Sequence, residues 1–140
     1  MSPMVRRPPG IEMALLGFLR DGPKHGYQIF QSVSDKTGLK MVWQLKQSQL
    51  YALLGKLEKD GDITSVLQQQ EAHPPRRIYT ITSTGRKAYL GWLTSPVLLP
   101  RNIRQEFLAK LFFLQDDEPL TKLLIMRQRE ICQGWIDQST

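Results

Sequence analysis

Residues 47–82 read QSQLYALLGKLEKDGDITSVLQQQEAHPPRRIYTIT and contain a helical stretch followed by two strand-like runs. Gly61 follows the helical stretch as a residue that can end a helix. The runs at residues 63–69 and 77–82 are rich in β-branched and aromatic residues, which is typical of strands. Because prolines in the polar tip at residues 71–75 forbid continued pairing, the two runs are predicted to form a β-hairpin. The inner stripe of the helix consists of four leucines at helical spacing, Leu50, Leu53, Leu54 and Leu57.

Two more helices are predicted upstream of this stretch. Apolar residues recur at helical spacing over residues 11–20, and an Asp-Gly-Pro sequence ends this helix. A second helix covers residues 24–36, with Gly38 placed to end it. Residues 39–43 are short and apolar, which indicates a small strand. Residues 1–10 hold prolines around two arginines and predict a flexible basic arm.

Three further helices are predicted downstream of the hairpin. Thr82 or Ser83 can cap a helix that runs to about residue 93. A proline-containing connector follows, and then a helix over residues 102–115. The last helix begins after three acidic residues, with Pro119 at its first position. The whole chain is therefore predicted to be mainly α with a small β-hairpin.

The charge balance narrows the class of partner. Lysine and arginine total 19 against 13 aspartates and glutamates, so the formal net charge is +6. Such an excess favours a polyanion, either nucleic acid or an anionic membrane surface. The single cysteine excludes an internal disulfide framework, and no apolar run approaches the ~18 residues needed to cross a bilayer. We therefore expect a cytoplasmic protein without a membrane span.

The inventory of reactive side chains argues against an enzyme. His25, His73 and Cys132 are the soft ligand and nucleophile candidates, and they lie in different predicted elements without metal-ligand spacing. Carboxylates are spread along the chain rather than paired, and the sequence holds no glycine-rich phosphate loop. We expect no catalytic residue, no metal and no cofactor.

The order of three helices followed by a hairpin is typical of a winged helix-turn-helix domain. Opposite the leucine stripe, the third helix presents Ser48, Ala52 and Gly55, small residues that let a backbone approach a groove floor. Gln49 offers an amide that suits adenine, while Lys46 and Lys56 suit phosphates or guanine.

Arg76 and Arg77 lie at the base of the hairpin tip, where a strand can follow the DNA backbone or minor groove. Two alternatives stay open at this point. The basic side chains could simply form a solvated face, and a domain of this shape could instead bind another protein.

Four segments resemble motifs of the PadR family of bacterial transcriptional regulators. GPKHGYQI at residues 22–29 is similar to the GPxHGYxI segment of that family. WQLKQSQLY at residues 43–51 and LLGKLEKDGDI at residues 53–63 resemble its recognition-helix stretch. RRIYTIT at residues 76–82 resembles its wing strand and the helix start that follows. PRNIRQEFLAKLFF at residues 100–113 is similar to the opening of its C-terminal helical region, in the branch with a virulence-activator-like tail.

The resemblance implies a homodimeric transcription factor, usually a repressor, on a pseudo-palindromic operator in double-stranded DNA. It also implies that a small aromatic or amphipathic effector releases some members from DNA. The domains implied are a basic arm (1–10), a winged helix-turn-helix domain (11–94), a linker (95–101) and a C-terminal helical dimerisation region (102–140). The matching DNA-binding positions are Tyr27, Lys46, Gln47, Ser48, Gln49, Tyr51, Arg76 and Arg77, to which the helical wheel adds Lys56.

Some of these positions carry a second interpretation. Tyr27 and Tyr51 could serve only to pack the helix pair, and Gly26 is interpreted as structural because the helix start needs room there. Ala52 replaces the proline of many family members and Ser48 a common glycine, so the base preference does not transfer. These departures keep open an alternative function, a ligand-binding or protein-interaction module without productive operator binding.

The C-terminal helices carry an apolar stripe that one helix cannot bury alone. A dimer through this stripe would set two recognition helices roughly 34–36 Å apart, whereas packing within the chain is the alternative. Arg127 interrupts the stripe and is expected to reach solvent or to pair with Glu106 or Asp117 of a neighbouring chain. The predicted dimerisation residues are Phe107, Leu111, Leu120, Leu124, Ile131 and Trp135. Three tryptophans are candidates to line an effector pocket, although core packing is the commoner role, namely Trp43, Trp92 and Trp135.

Overall fold

The computed structural model describes residues 10–35 and 43–139, which form six α-helices and one three-stranded antiparallel sheet. The predicted fold class is confirmed. The elements are α1 (Ile11–Gly17), β1 (Lys24–His25), α2 (Gly26–Val33), α3 (Gln47–Lys59), β2 (Ile63–Gln70), β3 (His73–Ile81), α4 (Ser83–Thr94), α5 (Leu108–Leu114) and α6 (Glu118–Gln138). The predicted arm before Gly10, the predicted stop at Gly38 and residues 39–42 of the predicted strand lie outside the described residues. Trp43 is buried and belongs to no strand.

α3 forms because its leucines fall on one face, and all four are buried in the core. The helix ends with two reverse hydrogen bonds: Asp62 N–H donates to the carbonyl of Leu57 at 3.0 Å, and Gly61 N–H donates to that of Glu58 at 3.1 Å. Gly61 has a φ of 85°, a left-handed conformation that favours glycine. The predicted helix end at Gly61 is confirmed.

The sheet contains a strand that the sequence did not predict. Lys24 and His25 form β1, which pairs antiparallel with Tyr79 and Ile78 of the central strand β3. Because β1 runs directly into α2, that helix begins at Gly26 rather than two residues earlier. A two-residue strand has no periodicity of its own, so only the pairing with β3 reveals it.

The hairpin is longer than predicted, and the inference drawn from its prolines is wrong. β3 (His73–Ile81) includes Pro74 and Pro75, which were expected to end the pairing. The register shifts between Gln68 and Gln70 of β2, so the prolines lie at an irregularity of the ladder. Such a bulge accommodates residues that cannot donate a ladder hydrogen bond. The tip is therefore only a two-residue turn.

α4 follows β3 without a linker. Of the two caps that the sequence predicted, Thr82 and Ser83, it is Thr82 that caps the helix, because its hydroxyl accepts a hydrogen bond from Gly85 N–H at 3.0 Å. At the other end of the chain, Asp117 caps α6 by accepting from Leu120 N–H at 3.1 Å. Both caps use the short oxygen-bearing side chains that satisfy free N–H groups at helix starts.

Three predicted helices are shorter than expected. α2 ends at Val33, because Ser34 and Asp35 are already non-helical, whereas the sequence predicted a helix to residue 36. α1 ends at Gly17, and residues 18–20 continue as turns. The predicted helix over residues 102–115 begins irregularly, with a 3₁₀ turn at Pro100–Asn102 and a wide π turn at Ile103–Phe107, before α5 becomes regular. The apolar 4-4-3 spacing does not distinguish these turn types from a regular α-helix.

The winged part, which comprises α1 to α4 and the sheet, shares one hydrophobic core with the C-terminal helices α5 and α6. This core extends from α1 to Leu124 of α6. Phe113 of α5 contacts Phe18 edge-on, with ring centroids 5.2 Å apart, and Tyr89 of α4 at 5.9 Å. A β-carbon at Gly17 would stand 2.5 Å from the Phe113 ring, so this glycine permits α1 and α5 to approach closely. α5 is therefore fixed directly on the first helix of the winged part.

Candidate nucleic-acid interface

α3 presents a polar face to solvent on the side opposite its buried leucines. Gln47, Ser48 and Gln49 of the first turn are exposed, and Ala52 and Gly55 continue the same exposed surface. Among residues 10–35 and 43–139, no atom beyond its own helix lies within 4 Å of where a Gly55 β-carbon would be. The face therefore has little side-chain bulk at its centre, which suits close approach to a groove floor.

The predicted role of Gln49 is modified by its contact in the structure. Its side-chain carbonyl accepts a hydrogen bond from the backbone N–H of Lys46 at 2.9 Å, which satisfies a free donor at the start of α3. Reading adenine with both amide atoms would require the side chain to leave this cap. Lys46 is exposed and lies at the same end of the helix.

Tyr27 and Tyr51 border this face and are both partly accessible, at 52% and 40% of their full exposure. Tyr27 stacks on Phe30, with ring centroids 6.5 Å apart. Tyr51 packs against Gly26, where an added β-carbon would lie 2.4 Å from the ring. Tyr27 thus packs within α2 and Tyr51 packs between α3 and α2, and both rings still expose a surface. The expectation that Gly26 provides room is confirmed, and Tyr51 is the group that needs it.

Arg76 and Arg77 lie on opposite faces of β3, because successive residues of a strand point to opposite sides of a sheet. Arg76 Nε donates to Gln68 Oε1 at 3.1 Å. Arg77 donates to the hydroxyl of Ser65 at 2.9 Å, and that hydroxyl donates to Glu58 of α3 at 2.7 Å. The Arg77 chain of hydrogen bonds joins the wing to α3, a contact that the sequence did not predict.

Lys56 differs from the other predicted DNA-binding residues. Its ammonium forms an ion pair with Glu12 of α1 at 2.8 Å. The charge of Lys56 is thereby offset within the chain, and its side chain connects α3 to α1. The two residues are 44 positions apart, so no local signal in the sequence indicates the pair.

His25 is a residue whose role sequence reasoning missed. Its Nδ1 accepts a hydrogen bond from the backbone N–H of Gln28 at 3.3 Å, and the backbone N–H of His25 donates to Gln28 Oε1 at 3.0 Å. These two bonds form a capping box at the start of α2. Burial lowers the pKa of His25 below its ordinary value, and the nearby charge of Arg76 lowers it further. The spacing of a cap residue and a glutamine three positions later was the available signal.

The sequence comparisons agree with this geometry. Residues 15–90 match the model of the transcriptional regulator PadR-like family. The chain belongs to this family. It is 32% identical over 104 residues to the negative transcriptional regulator PadR of Bacillus subtilis (strain 168). That alignment covers 74% of this chain and 56% of the relative, so the chain spans little more than half the length of the curated protein.

Solved structures of PadR-family and related regulators resemble the fold. Bacillus subtilis PadR in complex with operator DNA is 26% identical, with a TM-score of 0.61 over 94% of this chain and 73% of that chain. A transcriptional regulator from Clostridium thermocellum is 29% identical, with a TM-score of 0.51 over 59% of this chain and 75% of that one. The likeness to the first structure extends into the C-terminal helices.

In this PadR-family chain, the residues predicted for dimerisation do not form one exposed stripe. Leu124 is fully buried within its own chain, so its contacts are intramolecular. The other five are partly buried, and three of them pack against the core, namely Phe107, Leu111 and Leu120. A different face of α6 carries exposed apolar side chains, Ile125, Met126 and Ile136.

Arg127 is exposed, which agrees with the expectation that it reaches solvent, and its pairing with an acid of a neighbouring chain stays a prediction. Arg127 donates to the carbonyl of Thr94 at 2.8 Å, at the C-terminal end of α4. This arrangement is favourable because the last carbonyls of a helix lack intrahelical partners and carry partial negative charge.

The three tryptophans are not brought together into one pocket. Trp43 and Trp92 line separate cavities, and Trp135 lines neither of them. The cavity beside Trp92 has a volume of about 500 Å³ and also contains Glu106 and Lys110. Lys110 is only 1% exposed, with its ammonium 5.2 Å from the centre of the Trp92 ring. Burial lowers the pKa of Lys110, while Glu106 at 3.8 Å opposes this shift.

The family consists of transcriptional regulators rather than enzymes. Within residues 10–35 and 43–139, no group of three or more His, Cys, Asp or Glu side chains is arranged to hold a metal ion. Among the helices of this described part, none has the length and apolar character needed to cross a bilayer.

Proposed function

We propose that this chain is a DNA-binding transcriptional repressor that acts as a homodimer on a pseudo-palindromic operator. The observation that carries the proposal is the exposed, low-bulk face of α3 beside a wing that bears Arg76 and Arg77. The net charge of +6 favours a polyanion, and Tyr27 of α2 and Tyr51 of α3 are both partly exposed. The relative from Bacillus subtilis is a negative regulator whose structure includes operator DNA, which supports the same role here.

The proposal assigns the winged helix-turn-helix domain to residues 11–94, the linker to residues 95–101 and the dimerisation region to residues 102–140. DNA contacts are proposed for Tyr27, Lys46, Gln47, Ser48, Gln49, Tyr51, Arg76 and Arg77. Lys56 is proposed only as an auxiliary contact, because Glu12 already offsets its charge. In the dimer, partly exposed residues of α6 such as Ile131 and Trp135 would meet a second copy, with Leu124 supporting them from inside the chain.

The test is selection of bound duplexes from a random pool, followed by footprinting and light scattering on the purified protein. We expect a palindromic product whose half-site centres are about 34–36 Å apart, bound by two chains. An exposed side chain on α6 gives a control, since Lys122→Ala should leave the selected sequence unchanged. Absence of any protected duplex even at low salt would contradict the proposal.

A second candidate function, binding of a small aromatic or amphipathic molecule, is favoured by the cavity beside Trp92. The indole of Trp92 and the apolar side chains of Leu98 and Leu99 line it, so an aromatic ring would bury apolar surface there. Titration of aromatic compounds should quench tryptophan fluorescence, and Trp92→Phe should remove most of that signal. Trp135→Phe is the matched control, because Trp135 does not line this cavity. Quenching that survives Trp92→Phe would place the ligand elsewhere.

A further inference from the structure

A buried glutamine on α6 holds the linker that follows α4. Gln128 is only 5% exposed, although a helix residue of this type is normally solvated. Its Oε1 accepts from the backbone N–H of Val97 at 2.7 Å, and its Nε2 donates to the carbonyl of the same residue at 2.9 Å. Val97 is itself buried. One carboxamide therefore satisfies both polar groups of a buried backbone unit, as a neighbouring strand would.

Two cationic side chains extend this contact to the last residue of α4 and the first residue of the linker. Arg127 donates to the carbonyl of Thr94 at 2.8 Å, and the buried ammonium of Lys110 donates to the carbonyl of Ser95. These are the carbonyls that α4 leaves without intrahelical partners, so positive charge is favoured there. We name Lys110, Arg127 and Gln128 the linker clamp. Its hydrogen bonds to residues 94–97 all go to backbone groups, and directional hydrogen bonds restrain orientation in a way that apolar packing does not.

The position of the linker clamp matters for the geometry of a dimer. α4 belongs to the winged part, because Thr82 caps it directly after β3. α6 has 21 residues and is therefore roughly 31 Å long. Gln128 lies half-way along α6, about 15 Å from either end, so a rotation of about 10° at the clamp would displace each end by roughly 2.6 Å. In a dimer the two protomers move together, and the combined displacement of roughly 5 Å exceeds one base-pair step of about 3.4 Å. The angle between α6 and α4 thus controls where each recognition helix lies on the duplex.

We propose that Gln128 is a positioning residue that fixes α6 against the winged part and so sets the half-site spacing that the dimer accepts. This inference rests on the proposed function, because it requires a dimer that binds DNA. Among the three members of the clamp, Gln128 makes the most specific contact, since it both donates and accepts.

The test uses the full chain and two substitutions at this position. Gln128→Met keeps the length and flexibility of the side chain but lacks both hydrogen-bonding groups. Gln128→Glu keeps the acceptor for Val97 N–H and loses the donor to its carbonyl. Gln133→Met is the matched control, because Gln133 lies on the same helix and is exposed. Circular dichroism and thermal unfolding establish that each variant is folded, and hydrogen exchange reports on the Val97 amide.

Affinity is then measured for a single half-site and for paired half-sites whose separation varies in steps of one base pair. For the unchanged protein, the affinity for paired sites should fall about tenfold when the spacing departs by two base pairs, within the usual range of coupling between sites. Gln128→Met should flatten this dependence and leave single half-site affinity unchanged. Gln128→Glu should flatten it as well, because its second oxygen would repel the buried Val97 carbonyl. Gln133→Met should not alter it. The Val97 amide should exchange faster in Gln128→Met.

Three outcomes overturn the inference. If the folded Gln128→Met protein keeps the spacing optimum of the unchanged protein, Gln128 has only a structural role. If Gln128→Met does not fold, an unchanged spacing profile in Gln128→Glu leads to the same conclusion. If the unchanged protein binds no duplex, the proposed function fails and the spacing role fails with it. The first two results leave DNA binding intact, so the two failures are distinguishable.

Discussion

Gly26, the first residue of α2, lies directly against the ring of Tyr51 on α3. A β-carbon at position 26 would stand 2.4 Å from the Cε1 atom of that ring and 3.0 Å from its hydroxyl oxygen. The distance between α2 and α3 is therefore set by the Tyr51 ring on one helix and by a glycine, which has no side chain, on the other. Because the Tyr51 ring is also partly exposed beside the candidate DNA-binding face, this contact links packing to recognition.

Gly26→Ala should displace the Tyr51 ring and lower the free energy of unfolding by about 1–2 kcal/mol, as overpacking usually does. In a Tyr51→Ala background the ring that would clash with the new β-carbon is removed. Gly26→Ala should then be neutral or stabilising by up to ~1 kcal/mol, because alanine has a higher helix propensity than glycine. Urea denaturation of the four proteins gives the double-mutant cycle. Equal effects of Gly26→Ala on stability in both backgrounds would show that the Tyr51 ring does not limit how closely α2 and α3 approach.

A β-carbon at Gly85 in α4 would clash with backbone atoms, which cannot rotate away as a side chain can. A β-carbon there would lie 2.1 Å from the backbone carbonyl oxygen of Asp62, which also accepts the N–H of Thr82 at 3.0 Å. We expect Gly85→Ala to lower the free energy of unfolding by about 3 kcal/mol, at the upper end for overpacking. Gly91→Ala is the control in the same helix, because its β-carbon would meet open space. That substitution should stabilise by up to ~1 kcal/mol in thermal or urea unfolding.

The contrast between Thr82 and His25 shows how far local patterns predict this fold. Thr82 is a residue type known to cap helices, and both its cap and the helix after it were predicted. His25 caps the start of α2, but histidine is not among the preferred N-cap residues. Residue preferences therefore do not indicate this cap. The leucines of α3 were predicted as core residues because helical periodicity is a strong signal.

Contacts between distant parts of the chain account for most of what the sequence did not reveal. The Lys56–Glu12 ion pair and the Arg127 contact with Thr94 depend on tertiary packing, which no spacing rule encodes. The same holds for Leu124, whose apolar character predicted burial but not the surface that covers it. Periodicity identifies which side of a helix is apolar, while only the assembled core decides its partner.

His25 makes stability depend on pH. Its pKa in the folded protein lies below the ordinary value of 6.5, because burial and Arg76 both disfavour the imidazolium. The unfolded chain therefore takes up a proton more readily, so the contribution of the cap is fully present above about pH 6.5 and is lost as pH falls through the lower folded pKa. A protonated Nδ1 also cannot accept from Gln28 N–H.

The check is the urea midpoint measured between pH 5 and pH 8 in His25→Asn and in His73→Asn. Asparagine caps helices well without titrating, so His25→Asn should flatten the fall in stability below about pH 6.5. His73→Asn, an exposed position on the wing, should leave the profile unchanged. A fall of the same steepness in His25→Asn would mean that another group is responsible.

The two arginines of the wing and the serine that contacts Arg77 should differ when DNA binding is measured against salt concentration. Arg76→Ala and Arg77→Ala should each lower affinity for all sequences and reduce the salt slope by about one if both contact phosphates. Ser65→Ala leaves both charges in place but removes the hydrogen bonds that Ser65 makes to Arg77 and to Glu58. It should therefore weaken binding severalfold with an unchanged slope, because the wing is less firmly attached to α3. Fluorescence anisotropy over a salt series, with Lys122→Ala on α6 as control, measures both quantities. A reduced slope in Ser65→Ala would mean that the hydroxyl acts through the phosphate contact itself.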